Sequence, residues 1–151
     1  QCGDDDDGGC SPGVPCHCSS ARGCIYDCPE SGCIPQCDNV DFCSADCGGD
    51  CDYTCNNAQQ CSVECGGDCS VTCHDVSECI ASVGPGSCVR CDRLSNCDVY
   101  CEGDCEVRCA NVPSSSCVAR CASGDAPTDC GNGVLVCGAS CPSGGDGLCR
   151  G

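Results

Sequence analysis

Residues 57–73 read NAQQCSVECGGDCSVTC, and three neighbouring stretches repeat that wording. They are NVDFCSADCGGDCDYTC (39–55), DVSECIASVGPGSCVRC (75–91) and RLSNCDVYCEGDCEVRC (93–109), an 18-residue period. Self-similarity at a fixed short period marks a stacked-repeat architecture. The unit is C-x3-C, a Gly-rich turn, then C-x3-C again. Within C-x3-C, alternate residues share one face of an extended strand. In the unit 57–73 that face carries Cys61, Val63 and Cys65 before the turn, and Cys69, Val71 and Cys73 after it. The intervening positions are mostly polar (Ser62, Glu64, Ser70, Thr72, Asp98, Glu106, Arg108), so the pattern has period 2 with cysteine as its main buried residue. Each unit reads as two five-residue strands folded together through Gly-Gly-Asp.

Stacked sheets ordinarily sit ~10 Å apart, but a disulfide needs Cα atoms only about 4.4–6.8 Å apart. The coil is therefore expected to be thin, with sulfur as its filling. Facing middle residues are matched in volume, Ala45 against Tyr53 and Val63 against Val71. Folding at the turn sets Cys65 opposite Cys69 and Cys61 opposite Cys73, which predicts nested bridges. The same rule gives Cys47–Cys51 with Cys43–Cys55, and Cys101–Cys105 with Cys97–Cys109. The third unit has Val83 and Ser87 at both inner positions and keeps Cys79–Cys91. Pairing along each strand would orphan both survivors there, so the joint loss argues for bridges across the coil.

Outside 39–109 the pattern loosens. Residues 1–37 read as irregular coils, with Cys10–Cys16 closed through SPGVP inside Cys2–Cys18, and Cys28–Cys33 closed through PESG inside Cys24–Cys37. Residues 111–151 shift to a 20-residue spacing, with Cys97, Cys117 and Cys137 in one column. Their longer turns suggest Cys121–Cys130 and Cys141–Cys149, which leaves Cys117 and Cys137 to pair with each other. Cys88 is the remainder. By strand parity it points outward, to stay free or to join two subunits across a two-fold axis. The segments between coils carry Val40, Ala58, Val76, Leu94 and Val112 as a small satellite core. Each follows Asn39, Asn57, Asp75, Arg93 or Asn111, a position where a tight corner calls for left-handed backbone. The whole is expected to be one all-β domain, a disulfide-crossed β-solenoid of about eight coils and roughly 35 Å at ~4.8 Å per layer.

Composition sets the compartment. Twenty-nine cysteines in 151 residues with 3% aromatics mean that cross-links replace an ordinary core, as in secreted scaffolds. No leader, lipidation signal or long apolar run is present, so the chain reads as the mature form of an extracellular protein. A net charge of −17 excludes nucleic acid and anionic membrane as partners. A thiolate metal store would favour Cys-x-Cys and Cys-x2-Cys, which occur once each, at Cys16–Cys18 and Cys88–Cys91. His17 and His74 sit beside cysteines assigned to bridges and read as solvated, and no nucleophile motif suggests an enzyme. Asp50, Asp68 and Asp104 occupy equivalent turn positions. Stacked carboxylates could hold Ca²⁺, or Asp could serve the turn itself. Asp4 to Asp7 form a second candidate.

The C-x3-CGGDC-x-V-x-C wording over roughly residues 21–121 resembles the cysteine-rich repeat proteins of myxobacteria and their relatives, which implies a secreted repeat protein. The thin coil also resembles the insect disulfide-stapled β-solenoid antifreeze proteins. Their outward ranks of Thr are replaced here by Thr54, Thr72, Arg90 and Arg108. The expected role is structural, as subunits that stack end to end into a durable extracellular filament. The alternative is a monomeric binding module that uses the acidic turns for Ca²⁺ or a cell-surface ligand.

Overall fold

The computed structural model describes residues 8–9, 13, 15–19, 23–28, 30–142 and 148–149. Its strands are β1 (Gly8–Gly9), β2 (Pro15–Ser19), β3 (Gly23–Cys28), β4 (Ile34–Cys47), β5 (Asp52–Cys65), β6 (Ser70–Val83), β7 (Ser87–Cys101), β8 (Cys105–Ala110), β9 (Cys117–Cys121), β10 (Thr128–Gly131) and β11 (Val134–Cys137). A 3-10 turn at Ser114–Ser116 is the one helical element among the described residues. β4 to β7 run 14 or 15 residues because pairing continues around the corner between units. The chain bends there through left-handed residues: Asn39, Asn57, Asp75, Arg93 and Asn111 have φ of 56°, 53°, 54°, 61° and 55°. Short polar side chains tolerate that region best, and each is followed by an apolar residue turned inward. Val40, Val76 and Leu94 are buried, with Ala58 and Val112 packed against the core.

Successive coils pair in parallel with an 18-residue register, Tyr53 beside Val71, Val71 beside Val89 and Val89 beside Val107. The molecule is a β-solenoid with a core between two flat faces. One face contributes Tyr26, Ala45, Val63, Ala81, Val99 and Ala119. The other contributes Tyr53, Val71, Val89, Val107 and Leu135. Both columns are mostly valine and alanine, side chains small enough to pack a thin slab. Tyr53 is fully buried and donates its phenol O–H to the Cys43 carbonyl at 2.8 Å.

That phenol can be tested. Burial pushes its pKa far above the ordinary phenol value, so the native protein keeps the proton that the unfolded chain releases. Alkali above the ordinary phenol range therefore weakens folding through this group. Tyr53→Phe is expected to lower stability by about 1 kcal/mol through the orphaned carbonyl. It should also leave the native protein's alkaline ultraviolet titration unchanged through the ordinary phenol range. A lost titration step would show that Tyr53 is not sealed.

Disulfides flank the apolar columns on both sides. At the turn they are Cys28–Cys33, Cys47–Cys51, Cys65–Cys69 and Cys101–Cys105, as the spacing predicted. The third coil has Val83 and Ser87 there, and the Ser87 hydroxyl accepts the Cys69 N–H at 3.2 Å. At the corner the pairing differs from expectation. Cys43–Cys55, Cys61–Cys73, Cys79–Cys91, Cys97–Cys109 and Cys24–Cys37 are replaced by Cys18–Cys24, Cys37–Cys43, Cys55–Cys61, Cys73–Cys79, Cys91–Cys97 and Cys109–Cys117. Cys18 is thus not joined to Cys2. The physical reason is that each of these cysteines faces two others, one across the turn and one across the corner. Corner pairing closes loops with a sequence separation of 6 or 8, which costs less chain entropy than the longer nested loops. The missing inner pair at Val83 and Ser87 excluded along-strand bridges but did not discriminate between these two. The expected Cys10–Cys16 lies outside the described residues.

The C-terminal end departs further. β9 adds a layer beside β7 at a 20-residue offset, Cys117 against Cys97. The chain then forms an antiparallel hairpin, β10 on β11, in place of another coil, and β11 pairs antiparallel with β8. Gly131, Asn132 and Gly133 all have positive φ, the conformation an Asn-Gly hairpin turn demands. Cys137 consequently stands beside Cys105. Cys121–Cys130, Cys141–Cys149 and Cys117–Cys137 give way to Cys121–Cys137 and Cys130–Cys141. Cys88 points outward as parity required, but it is neither free nor intermolecular. It bonds Cys149, 61 residues on, because Leu148 and Cys149 lie against that face.

Candidate functional site

The acidic turns are the first candidate. Asp50 and Asp68 take left-handed backbone, φ 49° and 52°, and their N–H groups donate to Gly67 and Pro85 carbonyls of the next coil at 2.8 and 2.9 Å. Gly86 (φ 81°) fills the same place in the third coil and donates to the Asp104 carbonyl. The predicted column of Asp50, Asp68 and Asp104 is therefore interrupted. The Asp68 carboxylate lies over Gly86, where an added Cβ would come within 2.4 Å of its Oδ1. Among the described residues, the one group of three or more His, Cys, Asp or Glu ligand atoms within 4.8 Å is Cys101, Cys105 and Cys137. Those sulfurs are engaged in bridges. Asp50 and Asp68 form the adjacent pair, with Asp104 set apart, and Asp4 to Asp7 lie outside the described residues.

A second polar column runs along the corner. Asp38, Asn56, His74 and Asp92 stand in register. His17 Nε2 meets Asp38 at 2.8 Å, and Asn56 donates to the same carboxylate at 3.0 Å. His74 bridges Asp92 through Nδ1 at 3.1 Å and Asp75 through Nε2 at 3.2 Å. Beside them Asn57 donates to Asn39, and Asn111 donates to Asp92 at 2.9 Å. The hydrogen bond from His17 holds the Asp38 carboxyl below its usual range against a partial burial penalty. The hydrogen bond from Asn111 does the same for Asp92, with His74 adding to it. A carboxyl depressed in the folded state stabilises above its ordinary pKa and loses that contribution as pH falls. Both histidines stay substantially exposed, as expected, but each lies in a strand with a ring nitrogen against a carboxylate.

The third feature was not legible beforehand. Glu106 is 1% exposed on an outward position, with Leu148 and Cys149 against it. Its carboxylate accepts the Leu148 N–H at 3.2 Å and pairs with Arg108 Nε. Seen in the register, Cys88 and Glu106 are neighbours in one outward column, so the Cys88–Cys149 bridge and the Leu148–Glu106 hydrogen bond together hold Leu148 and Cys149 to it. A signal existed in the odd cysteine count and in a carboxylate next to the unpaired thiol. Beside the hairpin, a cleft of about 460 Å³ opens between Arg108, Cys130, Asn132, Val134 and Pro142.

Comparison with protein-family models, curated proteins and solved structures found no match. The fold and its side chains therefore carry the functional reading alone. In the outward column that departs from the Thr ranks of the antifreeze proteins, Gln36, Thr54, Thr72, Arg90 and Arg108 follow one another in register. The run of threonines is two residues long.

Proposed function

We propose that the protein is a non-enzymatic extracellular structural protein whose rods join end to end into a filament. The observation that carries this reading is the direction of the terminal strands. Among the described residues, β2 pairs only with β4 and β1 only with β3 at the first end; at the other, β9 pairs only with β7 and β10 only with β11. The hairpin reverses the chain at β11 and again at β10, so β10 runs the same way as β8. Both strands at the C-terminal end thus offer an edge in the sense of the parallel stack. Such an edge templates further pairing. The disulfide columns support a durable extracytoplasmic role, since such bonds persist in oxidising compartments.

One observation favours the alternative of a monomeric binding module. Cys121–Cys137, Cys130–Cys141 and Cys88–Cys149 weave hairpin and tail into a cross-linked end, which could serve as a cap. Negative-stain electron microscopy of the unreduced native protein separates the two. Filaments with an axial repeat of one rod are expected, shortened or lost in Val118→Lys on the exposed face of β9. Compact particles at high concentration would overturn the filament reading and turn attention to Ca²⁺ titration of Asp50 and Asp68.

A further inference from the structure

The corner bridges do not exhaust the pairings that their geometry permits. Cα separations across the turn are 6.2 Å for Cys47–Cys51 and 6.5 Å for Cys65–Cys69. Across the corner they are 6.3 Å for Cys37–Cys43 and Cys55–Cys61, and 6.5 Å for Cys73–Cys79. Equal spans at the two ends of a flat coil mean that the rise of ~4.8 Å per layer is divided evenly between turn and corner. Cys61 then lies about as far from Cys73 as from Cys55, and both separations fall within disulfide range. The same holds at each corner from Cys18 to Cys117. Stacked neighbours such as Cys91 and Cys109 project side by side in one sheet, with Cβ atoms about a strand spacing apart, beyond the about 3.5–4.5 Å a bridge needs.

We propose that the corner column is a thiol relay, in which a break in one bridge migrates along the rod by disulfide exchange. The column has two bond alternations, the one present and the one shifted by one partner. The bridge at the Cys109–Cys117 end is the entry point, since both its cysteines are partly exposed while the other corner cysteines are 4% exposed or less. A small dithiol reductant attacks that bridge and closes its own disulfide, leaving both cysteines as thiols; two electrons and two protons have entered the protein. The Cys109 thiolate then attacks Cys97 Sγ. The Cys97–Cys109 bond forms, Cys91–Cys97 breaks, and Cys91 departs as the thiolate with no further redox change. Cys91 repeats the step on Cys79, and so on towards Cys18.

The alternation imposes a parity rule. A thiol that starts on Cys109 visits Cys91, Cys73, Cys55, Cys37 and Cys18, and never Cys97, Cys79, Cys61, Cys43 or Cys24. The turn column provides an internal control, because Val83 and Ser87 interrupt it.

The direct test is Cys117→Ser, which leaves Cys109 unpaired without added reductant. After incubation at mildly alkaline pH, alkylation and peptide mapping, the single label is expected to spread over the first set. A label that stays on Cys109, or falls on the second set, would overturn the relay. The native protein gives an independent readout that does not depend on the variant's folding. After limited reduction and trapping, doubly labelled molecules should carry labels on cysteines that are not natural partners, such as Cys117 with Cys91. Labels found only on both members of one original bridge would overturn it as well.

Discussion

Reduced and alkylated at every cysteine, the chain is expected to lose its strand signal in far-ultraviolet circular dichroism at room temperature, while the oxidised protein keeps it on heating. Among the described residues, little besides sulfur fills the space between the two faces. Apart from cysteine the core is mostly valines and alanines with Leu94 and two tyrosines, the single Phe is 42% exposed, and there is no Trp or Met. Each short bridge contributes about 2 kcal/mol, less when neighbours share the constraint. Against this stand roughly 1–2 kcal/mol of backbone entropy for every ordered residue and the self-repulsion of a net charge of −17. Alkylation also puts a bulky group into slots sized for sulfur. A reduced chain with an unchanged spectrum would show that the parallel ladder and valine columns suffice.

The second large effect is expected at the turns, where successive coils stack backbone on backbone. An added Cβ at Gly66 would stand 2.2 Å from the Gly48 carbonyl oxygen, and one at Gly84 would stand 2.0 Å from that of Gly66. Those turns hold the layer contacts Gly66 N–H to Cys47 and Gly84 N–H to Cys65, at 3.2 and 2.8 Å. Backbone has little room to yield, so Gly66→Ala or Gly84→Ala should cost about 1–3 kcal/mol. In a domain of this size that is a fall in Tm of roughly 2–12 °C. Gly49→Ala is the control: its Cβ would meet Gly67 at 3.5 Å, an ordinary contact. Equal midpoints for Gly49→Ala and Gly84→Ala would mean the coils do not stack this closely.

The solenoid was legible because its causes are local. Period-2 alternation placed the faces, Gly-Gly-Asp placed the turns, and Asn or Asp before an apolar residue placed the corners. Inner bridges such as Cys65–Cys69 were legible too, since each lies across a single turn. Outer bridges were not, because Cys61 faces Cys55 and Cys73 alike and strand parity does not rank them. At the C-terminus, the even spacing of Cys97, Cys117 and Cys137 masked the stronger local signal at Asn132-Gly133. A two-residue Asn-Gly turn between apolar runs calls for a hairpin, and the hairpin carries Cys137 to the opposite face. Strand parity sufficed to turn Cys88 outward. Its partner was hidden because Cys149 belongs to a tail with no repeat to place it.

The corner bridges also decide how tension would pass through the rod. Pulled apart at Cys24 and Cys117, the molecule carries force along the shortest covalent route, through strand, sulfur and strand again. Turn loops and corner loops are bypassed, and the strands on the route are already extended at ~3.3 Å per residue. Those strands lie across the rod, so a coil closed at both ends can lengthen only to the reach of its two short strands and their bridges, with its loops held back. The third coil differs, because Val83 and Ser87 leave its turn unbridged and force must travel the backbone from Cys79 to Cys91. The Gly84-Pro85-Gly86 turn thus adds its own length to that coil's reach, so a fully drawn rod would be longest at its third coil.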